Sequence, residues 1–231
     1  MNVPTPQICE EFDRIALLTE NHGDVSDTYH DYLRRHLPHH CENALDIGCG
    51  TGEFTRLLAG QASAVLAVDL SPQMIRLARQ HSANHPNIEY VLGDVMRLSL
   101  PAESYDCIVS LATLHHLPLE QALSKMKNAL KPHGVLIIHD LVADDGLADK
   151  LTSALAYLVS VMRRIRKTGR LRAPREVREA WSEHGRGEVY LTLNEVKEMC
   201  KQYLPEALIY RHLLWRYTLV WSKHGAASST R

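Results

Sequence analysis

Cysteine is scarce in this sequence, and its spacing gives no sign of a bound metal or of disulfides. The 231 residues contain five cysteines, none of them in a CxxC pair: Cys9, Cys41, Cys49, Cys107 and Cys200. An odd number without that pairing argues against a disulfide framework and against a zinc site. A reducing cytoplasm is therefore the expected compartment, and we expect no metal.

Long apolar runs are also missing. No segment approaches the ~18 apolar residues that a membrane-spanning helix requires, and the first residues lack the apolar core of a signal peptide. We therefore expect a cytoplasmic protein without a transmembrane segment. With 45% hydrophobic residues, a chain of this length can form one α/β domain with a substantial core.

Excess charge of one sign is absent overall, with one local exception. The net charge is −1, but residues 163–178 hold eight Lys or Arg and one acid, Glu176. This basic segment follows apolar residues spaced three or four apart over 147–165, which predict a helix. One interpretation is that the segment binds an acidic acceptor or an anionic surface. The alternative is that it is only the solvated C-terminal end of that helix. The near-neutral total and the lack of aromatics in the segment argue against a nucleic-acid partner.

Glycine, by contrast, is concentrated where a ligand-binding loop is expected. Apolar residues 44–47 lead into Gly48, Gly50 and Gly52, and residues 53–59 then show helical spacing. Glycine permits positive φ and lets the backbone approach a ligand closely. The pattern predicts a strand, a turn and a helix beneath a nucleotide-like ligand, although glycine turns also occur in loops that bind nothing.

A carboxylate follows the glycines at an informative distance. Apolar residues 64–69 predict a second parallel strand that ends at Asp69, 17 positions after Gly52. In doubly wound folds, an acidic residue about 20 positions beyond the glycine loop accepts hydrogen bonds from ribose hydroxyls. The alternative is that Asp69 only helps to start the next helix, where Ser71 and Pro72 supply a cap and a first helical residue.

The loop itself argues against a dinucleotide. The dinucleotide fingerprint GxGxxG needs glycine at position 53, where this chain has Glu53. A glutamate at the start of that helix would repel a pyrophosphate. Asp46, two residues before Gly48, adds a carboxylate that suits a ligand with a cationic amine or sulfonium.

These features resemble the class I S-adenosylmethionine-dependent methyltransferases, in particular their small-molecule, methyltransferase-11-like branch. The first motif of that family is matched by Asp46-Ile-Gly-Cys-Gly-Thr-Gly52. Residues 88–94 match the third strand with its acidic end, residues 105–111 the fourth strand, and residues 130–140 a turn and fifth strand, with His133 replacing a glycine. The resemblance covers residues 44–141 and has the motifs in the family's order.

The resemblance implies a fold and a cofactor. The fold is a Rossmann-like, doubly wound seven-stranded sheet, mostly parallel with a C-terminal antiparallel hairpin, plus helical lid elements. The cofactor is S-adenosyl-L-methionine, which leaves as S-adenosyl-L-homocysteine. The implied cofactor-binding residues are Asp46, Gly48, Cys49, Gly50, Gly52, Asp69, Leu70, Met74, Asp94, Val95, Ser110, Leu111 and His115.

The rest of the chain fits one methyltransferase domain over residues 1–231. We expect an N-terminal helical lid (1–40), a cofactor-binding core (41–141), a helical insertion or cap (142–190), and a last helix with the closing β-pair (191–224). Thr192 and Glu195 form a capping box for that last helix. Residues 207–215 and 216–222 read as the closing pair, which Rossmann dehydrogenases usually lack.

The candidates for contact with a methyl acceptor are aromatic residues and histidines. Phe12, Tyr29 and Tyr32 line the lid or are ordinary core aromatics, and Trp181 and Tyr190 lie in a predicted glycine-broken loop, 181–190. The candidates for a general base are His115, His116, His139 and His184. For each histidine, the alternative is that it is a packed or surface residue without a chemical role.

Three classes of function remain open. The first is methyl transfer from S-adenosylmethionine to oxygen, nitrogen or carbon of a small molecule. The second is a protein that uses the same fold and cofactor pocket for another reaction or for regulation, because fold alone does not fix function. The third is a nicotinamide-dependent oxidoreductase. A monomer and a homodimer are equally compatible with the sequence.

Overall fold

The computed structural model describes residues 5–22, 29–143, 156–162, 165–166, 169, 171–172 and 174–224. A seven-stranded sheet has the order β3-β2-β1-β4-β5-β7-β6. Its strands are β1 (Cys41–Ile47), β2 (Ala62–Asp69), β3 (Ile88–Leu92), β4 (Tyr105–Leu111), β5 (Leu130–Leu141), β6 (Leu208–His212) and β7 (Arg216–Ser222). The first five strands pair in parallel, and β7 is antiparallel to both β5 and β6. The predicted sheet and its closing antiparallel pair are confirmed.

Helices connect and cover these strands. They are α1 (Thr5–His22), α2 (His30–Arg34), α3 (Glu53–Ala59), α4 (Pro72–His81), α5 (Leu119–Ala129), α6 (Arg175–His184) and α7 (Leu193–Tyr203), with a 3₁₀ turn at Leu114–His116. Residues 156–162 are also helical. The helix starts follow local chemistry, since Ser71 Oγ accepts a hydrogen bond from the Met74 N–H and the predicted capping box of Thr192 and Glu195 forms.

Helices cover both faces of the sheet, which is why the central residues of its parallel strands β1, β4 and β5 are mostly apolar. One core cluster joins the sheet to α5 and α7 and includes the fully buried Leu123, Met126 and Leu136. The other joins the opposite face to α2 and α3 through Leu33 and Phe54. This arrangement holds the carboxyl ends of β1, β2, β4 and β5 at one edge, beside the glycine loop.

The prediction of a loop over residues 181–190 is wrong for residues 181–184. Trp181 and His184 lie in α6, and the irregular chain begins only at Gly185. Pro174 precedes the first helical residue and Gly185 follows the last one, so both ends carry ordinary helix-boundary residues.

Two strand limits also differ from the prediction. β6 ends at His212 instead of residue 215, because Leu214 and Trp215 have φ of 66° and 55° and form the turn into β7. β5 begins at Leu130, which pairs with Tyr105, so the predicted turn is an irregularity within the strand. His133 has φ of 64° there, a left-handed conformation that glycine adopts without a Cβ penalty.

The helix predicted over 147–165 is observed at 156–162 and 165–166. The remaining positions of that helix lie outside the described residues. In the basic segment 163–178, residues 163–164, 167–168, 170 and 173 also lie outside them. Within the described chain, every helix is too short or too polar to cross a membrane.

Candidate functional site

The glycine loop turns in left-handed conformations, as its sequence predicts. Gly48, Gly50 and Gly52 have φ of 73°, 53° and 76°. A Cβ atom on Gly48 would lie 2.0 Å from Thr113 Oγ1, and one on Gly52 would lie 2.3 Å from the Tyr90 hydroxyl. Nothing lies within 4 Å of a Cβ placed on Gly50. Two of the glycines are therefore required by packing, and the third faces open space.

Asp69 holds this loop to the start of α4. Its Oδ2 accepts a hydrogen bond from the Gly50 N–H at 2.8 Å, and its Oδ1 accepts one from the Ser71 N–H at 2.9 Å. Burial raises the pKa of Asp69, while those hydrogen bonds act in the opposite direction. Asp69 therefore helps to start α4 and also lines the cavity, and its contact with a ribose stays a prediction.

Asp46 lies beneath the loop and is buried. Its Oδ2 accepts a hydrogen bond from Thr55 Oγ1 at 2.6 Å, and burial raises its pKa from 3.8 to about 7. Cys49 is also buried, which raises the pKa of its thiol well above 9. A thiol of that kind is a poor nucleophile, in agreement with its expected role in packing.

A cavity of about 760 Å³ opens above the glycine loop. Of the predicted cofactor residues, it is lined by Asp46, Gly48, Cys49, Gly50, Asp69, Leu70, Met74, Asp94, Val95, Leu111 and His115. Gly52 lies beneath the loop as the N-cap of α3, and Ser110 is buried in β4. The cavity has the size of a small-molecule site and runs from the acidic ends of β2 and β3 to the ends of β4 and β5.

These walls fit S-adenosylmethionine better than a dinucleotide. Asp69 and Asp94 stand where ribose and adenine contacts are expected, and the glycines leave room for a close approach of the backbone. Asp46 and Glu53 add acidic groups near the loop, and both line the cavity. That surface favours a cationic ligand and disfavours a pyrophosphate.

The far end of the cavity holds a cluster of three histidines, each beside a carboxylate. His115 Nδ1 donates to Asp140 Oδ1 at 2.6 Å, and His184 Nδ1 donates to Glu11 Oε2 at 2.8 Å. His116 Nδ1 lies 3.2 Å from Glu188 Oε1. One ring nitrogen from each histidine lies within 4.8 Å of the others. We call these three residues the histidine cluster.

The histidine cluster is desolvated. Its three side chains are 5–7% exposed. Burial lowers the pKa of His116 to about 3, with smaller contributions from the neighbouring His115 and His184, so its ring is neutral. Burial raises the pKa of Glu188. Among the described residues, His116 Nε2 and Glu188 Oε1 are buried and make no hydrogen bond.

The fourth predicted histidine belongs to a different group. His139 Nδ1 is 2.9 Å from Thr218 Oγ1 on β7, and its ring packs against Tyr29. Burial lowers its pKa to about 2, with Arg216 as the next cause. Arg216 itself lines the cavity, and its buried Nη1 has no hydrogen-bond partner among the described residues.

The predicted acceptor aromatics do not all lie beside the histidine cluster. Phe12 packs against His116 and His184 with ring centroids 5.5 and 4.8 Å apart, and Tyr190 lies 5.1 Å from His115. Trp181 and Tyr29 also line the cavity. Tyr32 instead packs against His36, Tyr210 and His212, on the side of the hairpin.

Helix α1 covers this end of the cavity and is attached at two places. Asp13 Oδ1 accepts hydrogen bonds from Ser71 Oγ and from the Gln73 N–H, which joins α1 to the start of α4. Arg14 forms an ion pair with Glu183 of α6. Apolar contacts among Ile15, Met74 and Ala180 fill the space between the three helices.

Sequence reasoning missed Glu11, Asp140, Glu188 and Arg216. Asp140 directly follows the predicted His139, and Glu188 lies between the predicted His184 and Tyr190. An acidic residue next to such candidates is the sequence signal that could have identified both. Glu11 and His184 are 173 positions apart, and no local pattern connects them.

Comparison with known proteins agrees with this geometry. Residues 45–138 match the family model described as a methyltransferase domain. A malonyl-[acyl-carrier protein] O-methyltransferase of Serratia marcescens is 38% identical over 106 residues, which cover 46% of this chain and 40% of that protein. The chain thus matches less than half the length of this relative.

Two further proteins match over most of their length. An uncharacterised methyltransferase of Mycobacterium bovis is 29% identical over 199 residues, covering 84% of this chain and 93% of that one. The crystal structure of a SAM-dependent methyltransferase from Aquifex aeolicus superimposes with a TM-score of 0.59 at 17% identity, covering 90% and 97% of the two chains. At that identity, the structural match supports the fold alone.

Proposed function

Because residues 45–138 are a class I S-adenosylmethionine-dependent methyltransferase domain, we propose that the chain transfers a methyl group from that cofactor to a small-molecule acceptor. The observation that supports this most is the continuity of the cavity. One cavity contains both the glycine loop with Asp69 and the histidine cluster. A cofactor on the loop would therefore share one cavity with a molecule beside the histidines.

S-adenosylmethionine, when bound, supplies an electrophilic methyl group on a sulfonium. The chain has to bind the cofactor, align the acceptor and exclude water. We propose that Asp69, Asp94 and the glycine loop hold the adenosine. α1 closes the opposite side, since Phe12 and Ile8 line the cavity from that helix.

We further propose that the acceptor carries an anionic group, which Arg216 binds. A buried guanidinium with a free Nη1 costs free energy unless a partner satisfies it. A carboxylate matches the planar guanidinium, because it can accept two parallel hydrogen bonds. The curated Serratia relative is named for an acidic acceptor, a malonyl group, which is compatible with this proposal.

The test measures S-adenosylhomocysteine formation with a panel of mono- and dicarboxylic acids, their thioesters and neutral analogues. We expect turnover with one or more acidic acceptors. Arg216→Gln should raise KM for that acceptor at least 10-fold and leave the Kd of S-adenosylhomocysteine within about 2-fold. Arg216→Lys, which keeps the charge, controls for loss of folding.

Three outcomes would contradict parts of this proposal. Turnover of neutral acceptors only, unaffected by Arg216→Gln, would overturn the anionic acceptor. Binding of S-adenosylmethionine without turnover of any acceptor would favour the regulatory or non-methyltransfer alternative. Binding of NAD in place of S-adenosylmethionine would favour the oxidoreductase.

A further inference from the structure

The histidine cluster has the composition of a metal site. Three imidazoles from two elements converge, with His115 and His116 on the 3₁₀ turn after β4 and His184 at the end of α6. One nitrogen from each lies within 4.8 Å of the others. Three histidines with a fourth position left for water or substrate are a common ligand set of catalytic zinc.

The surrounding carboxylates support this assignment. Asp140 and Glu11 accept hydrogen bonds from the Nδ1 atoms of His115 and His184, which fixes those rings with their Nε2 lone pairs free. Metal-binding histidines usually donate their other N–H to a carboxylate or carbonyl, which orients the ring and raises its basicity. Glu188 takes the corresponding place beside His116 Nδ1, at 3.2 Å.

Unsatisfied atoms also point to an occupant. His116 Nε2 and Glu188 Oε1 are buried and lack a hydrogen-bond partner among the described residues. A buried polar atom that is left unpaired costs free energy. A cation would accept the lone pair of His116 and would offset the negative charge of the three nearby carboxylates, Glu11, Asp140 and Glu188.

We propose that His115, His116 and His184 bind one divalent transition-metal ion, with zinc as the best match, at the acceptor end of the cavity. Imidazole ligands suit zinc, copper, iron and nickel, and a neutral three-histidine set with an open position is typical of zinc. In a tetrahedral zinc site the ligand nitrogens lie about 3.3 Å apart, so the rings must close by about 1.5 Å. We expect the His116 ring to make this movement, because the hydrogen bonds to Asp140 and Glu11 hold the other two rings.

This site overlaps the acceptor half of the proposed function, and in this respect the inference rests on that function. A metal ion there would leave one coordination position facing the cavity. Its ligand would be an oxygen of the acceptor or a water molecule. Metal binding itself requires neither cofactor nor acceptor, so it is measured separately from turnover.

The experiment uses the full chain with any affinity tag removed and with metal stripped by a chelator. Equilibrium dialysis against Zn²⁺, followed by elemental analysis, should give one zinc per chain. His116→Ala and His184→Ala should lower the affinity at least 100-fold. Glu188→Gln should lower it by about 10–100-fold, as changes in outer carboxylates do. His81→Ala, at an exposed position of α4, is the matched control and should bind zinc like the wild type.

A second measurement guards against misfolding. Binding of S-adenosylhomocysteine should be retained in each variant, and Co²⁺ in place of Zn²⁺ should give the visible absorption of a four-coordinate histidine site. Less than about 0.1 zinc per chain, or equal binding in the wild type and in His116→Ala, would overturn the inference. Zinc binding without methyl transfer would leave the inference standing and contradict the proposed function. Full turnover by the metal-free protein, together with absent zinc binding, would overturn the inference and leave the proposed function standing.

Discussion

Gly48 and Gly50 lie two positions apart in one loop, but packing constrains them differently. Both have positive φ, which costs a residue with a Cβ about 1–2 kcal/mol. A Cβ on Gly48 would also overlap Thr113, whereas a Cβ on Gly50 would project into open space. We expect Gly48→Ala to destabilise the protein by about 4 kcal/mol or more and Gly50→Ala by only about 1–2 kcal/mol. Urea denaturation without ligand measures both.

Gly50→Ala should still lose affinity for S-adenosylhomocysteine, because Gly50 lines the cavity and its new methyl group would occupy ligand space. Calorimetric titration of the folded variant checks this. If Gly50→Ala binds the ligand as tightly as the wild type, the glycine loop is not a cofactor contact. Equal stability of the two variants would contradict the overlap at Gly48.

Asp46 should make stability depend on pH. Its pKa is about 7 in the folded protein, against 3.8 when solvated, so the folded state keeps a proton that the unfolded state has lost. This stabilising contribution is complete below pH 3.8 and is lost as the pH rises to about 7. Asp46→Asn keeps an oxygen that accepts the Thr55 hydrogen bond and has no charge. The unfolding free energy of Asp46→Asn minus that of the wild type should therefore increase by roughly 2–4 kcal/mol from low pH to pH 8.

The measurement is urea denaturation of the cofactor-free wild type and Asp46→Asn from pH 4 to pH 8. The difference between the two should increase with pH over this range. Parallel curves would show that Asp46 ionises normally. The same variant should bind S-adenosylmethionine more weakly, because it removes a carboxylate that faces a cationic ligand.

At the scale of elements, Asp13 helps to hold α1 over the cavity. It joins α1 to the first residues of α4 through Ser71 and Gln73. Asp13→Ala removes both hydrogen bonds and should increase amide exchange in α1 at least 10-fold, since the opening free energy falls by about 1.5–3 kcal/mol. The core strands β1 and β4 should keep their protection.

Glu10→Ala is the control for this variant, because Glu10 is exposed on the same helix. It should leave exchange in α1 within about 2-fold of the wild type. Addition of S-adenosylhomocysteine should partly restore protection in Asp13→Ala, if α1 contacts the cofactor side of the cavity. Unchanged exchange in Asp13→Ala would show that the other contacts of α1, with Glu183, with His184 and through apolar packing, are enough to hold it.

The elements that the sequence predicts well are those with strong local patterns. β1, β2 and β4 are buried on both faces, so their apolar runs are continuous and readable. α6 was missed in part because its only buried residues are Ala180 and His184, which give a weak helical pattern. That helix is positioned by α1, which lies far away in the sequence.

The candidate site likewise has one half that local sequence patterns predict and one half that they do not. Its cofactor half consists of consecutive motifs: Gly48 and Asp69 were selected from their spacing and Asp94 from the family resemblance, and all three line the cavity. Its acceptor half depends on pairs such as Glu11 with His184, which only the folded chain brings together. Sequence reasoning selected the histidines but not the carboxylates that orient them.

For the whole molecule, a ligand that binds the folded state should raise the melting temperature. S-adenosylhomocysteine at 100 times its Kd adds about 2.7 kcal/mol, which is about 5–11 °C for a chain of this size. NAD at the same concentration should leave the melting temperature unchanged. A shift with NAD and none with S-adenosylhomocysteine would contradict the cofactor assignment.

The position of β7 has a consequence for how the chain is made. β7 comes last in the sequence but lies between β5 and β6, where it pairs with residues 135–141. During synthesis, β5 emerges from the ribosome before its antiparallel neighbour exists, so an apolar strand is left with an open edge. Nascent chains that stop before β7 should be the form that associates with other chains or with chaperones. Arg216, the first residue of β7, enters the cavity only when that edge closes.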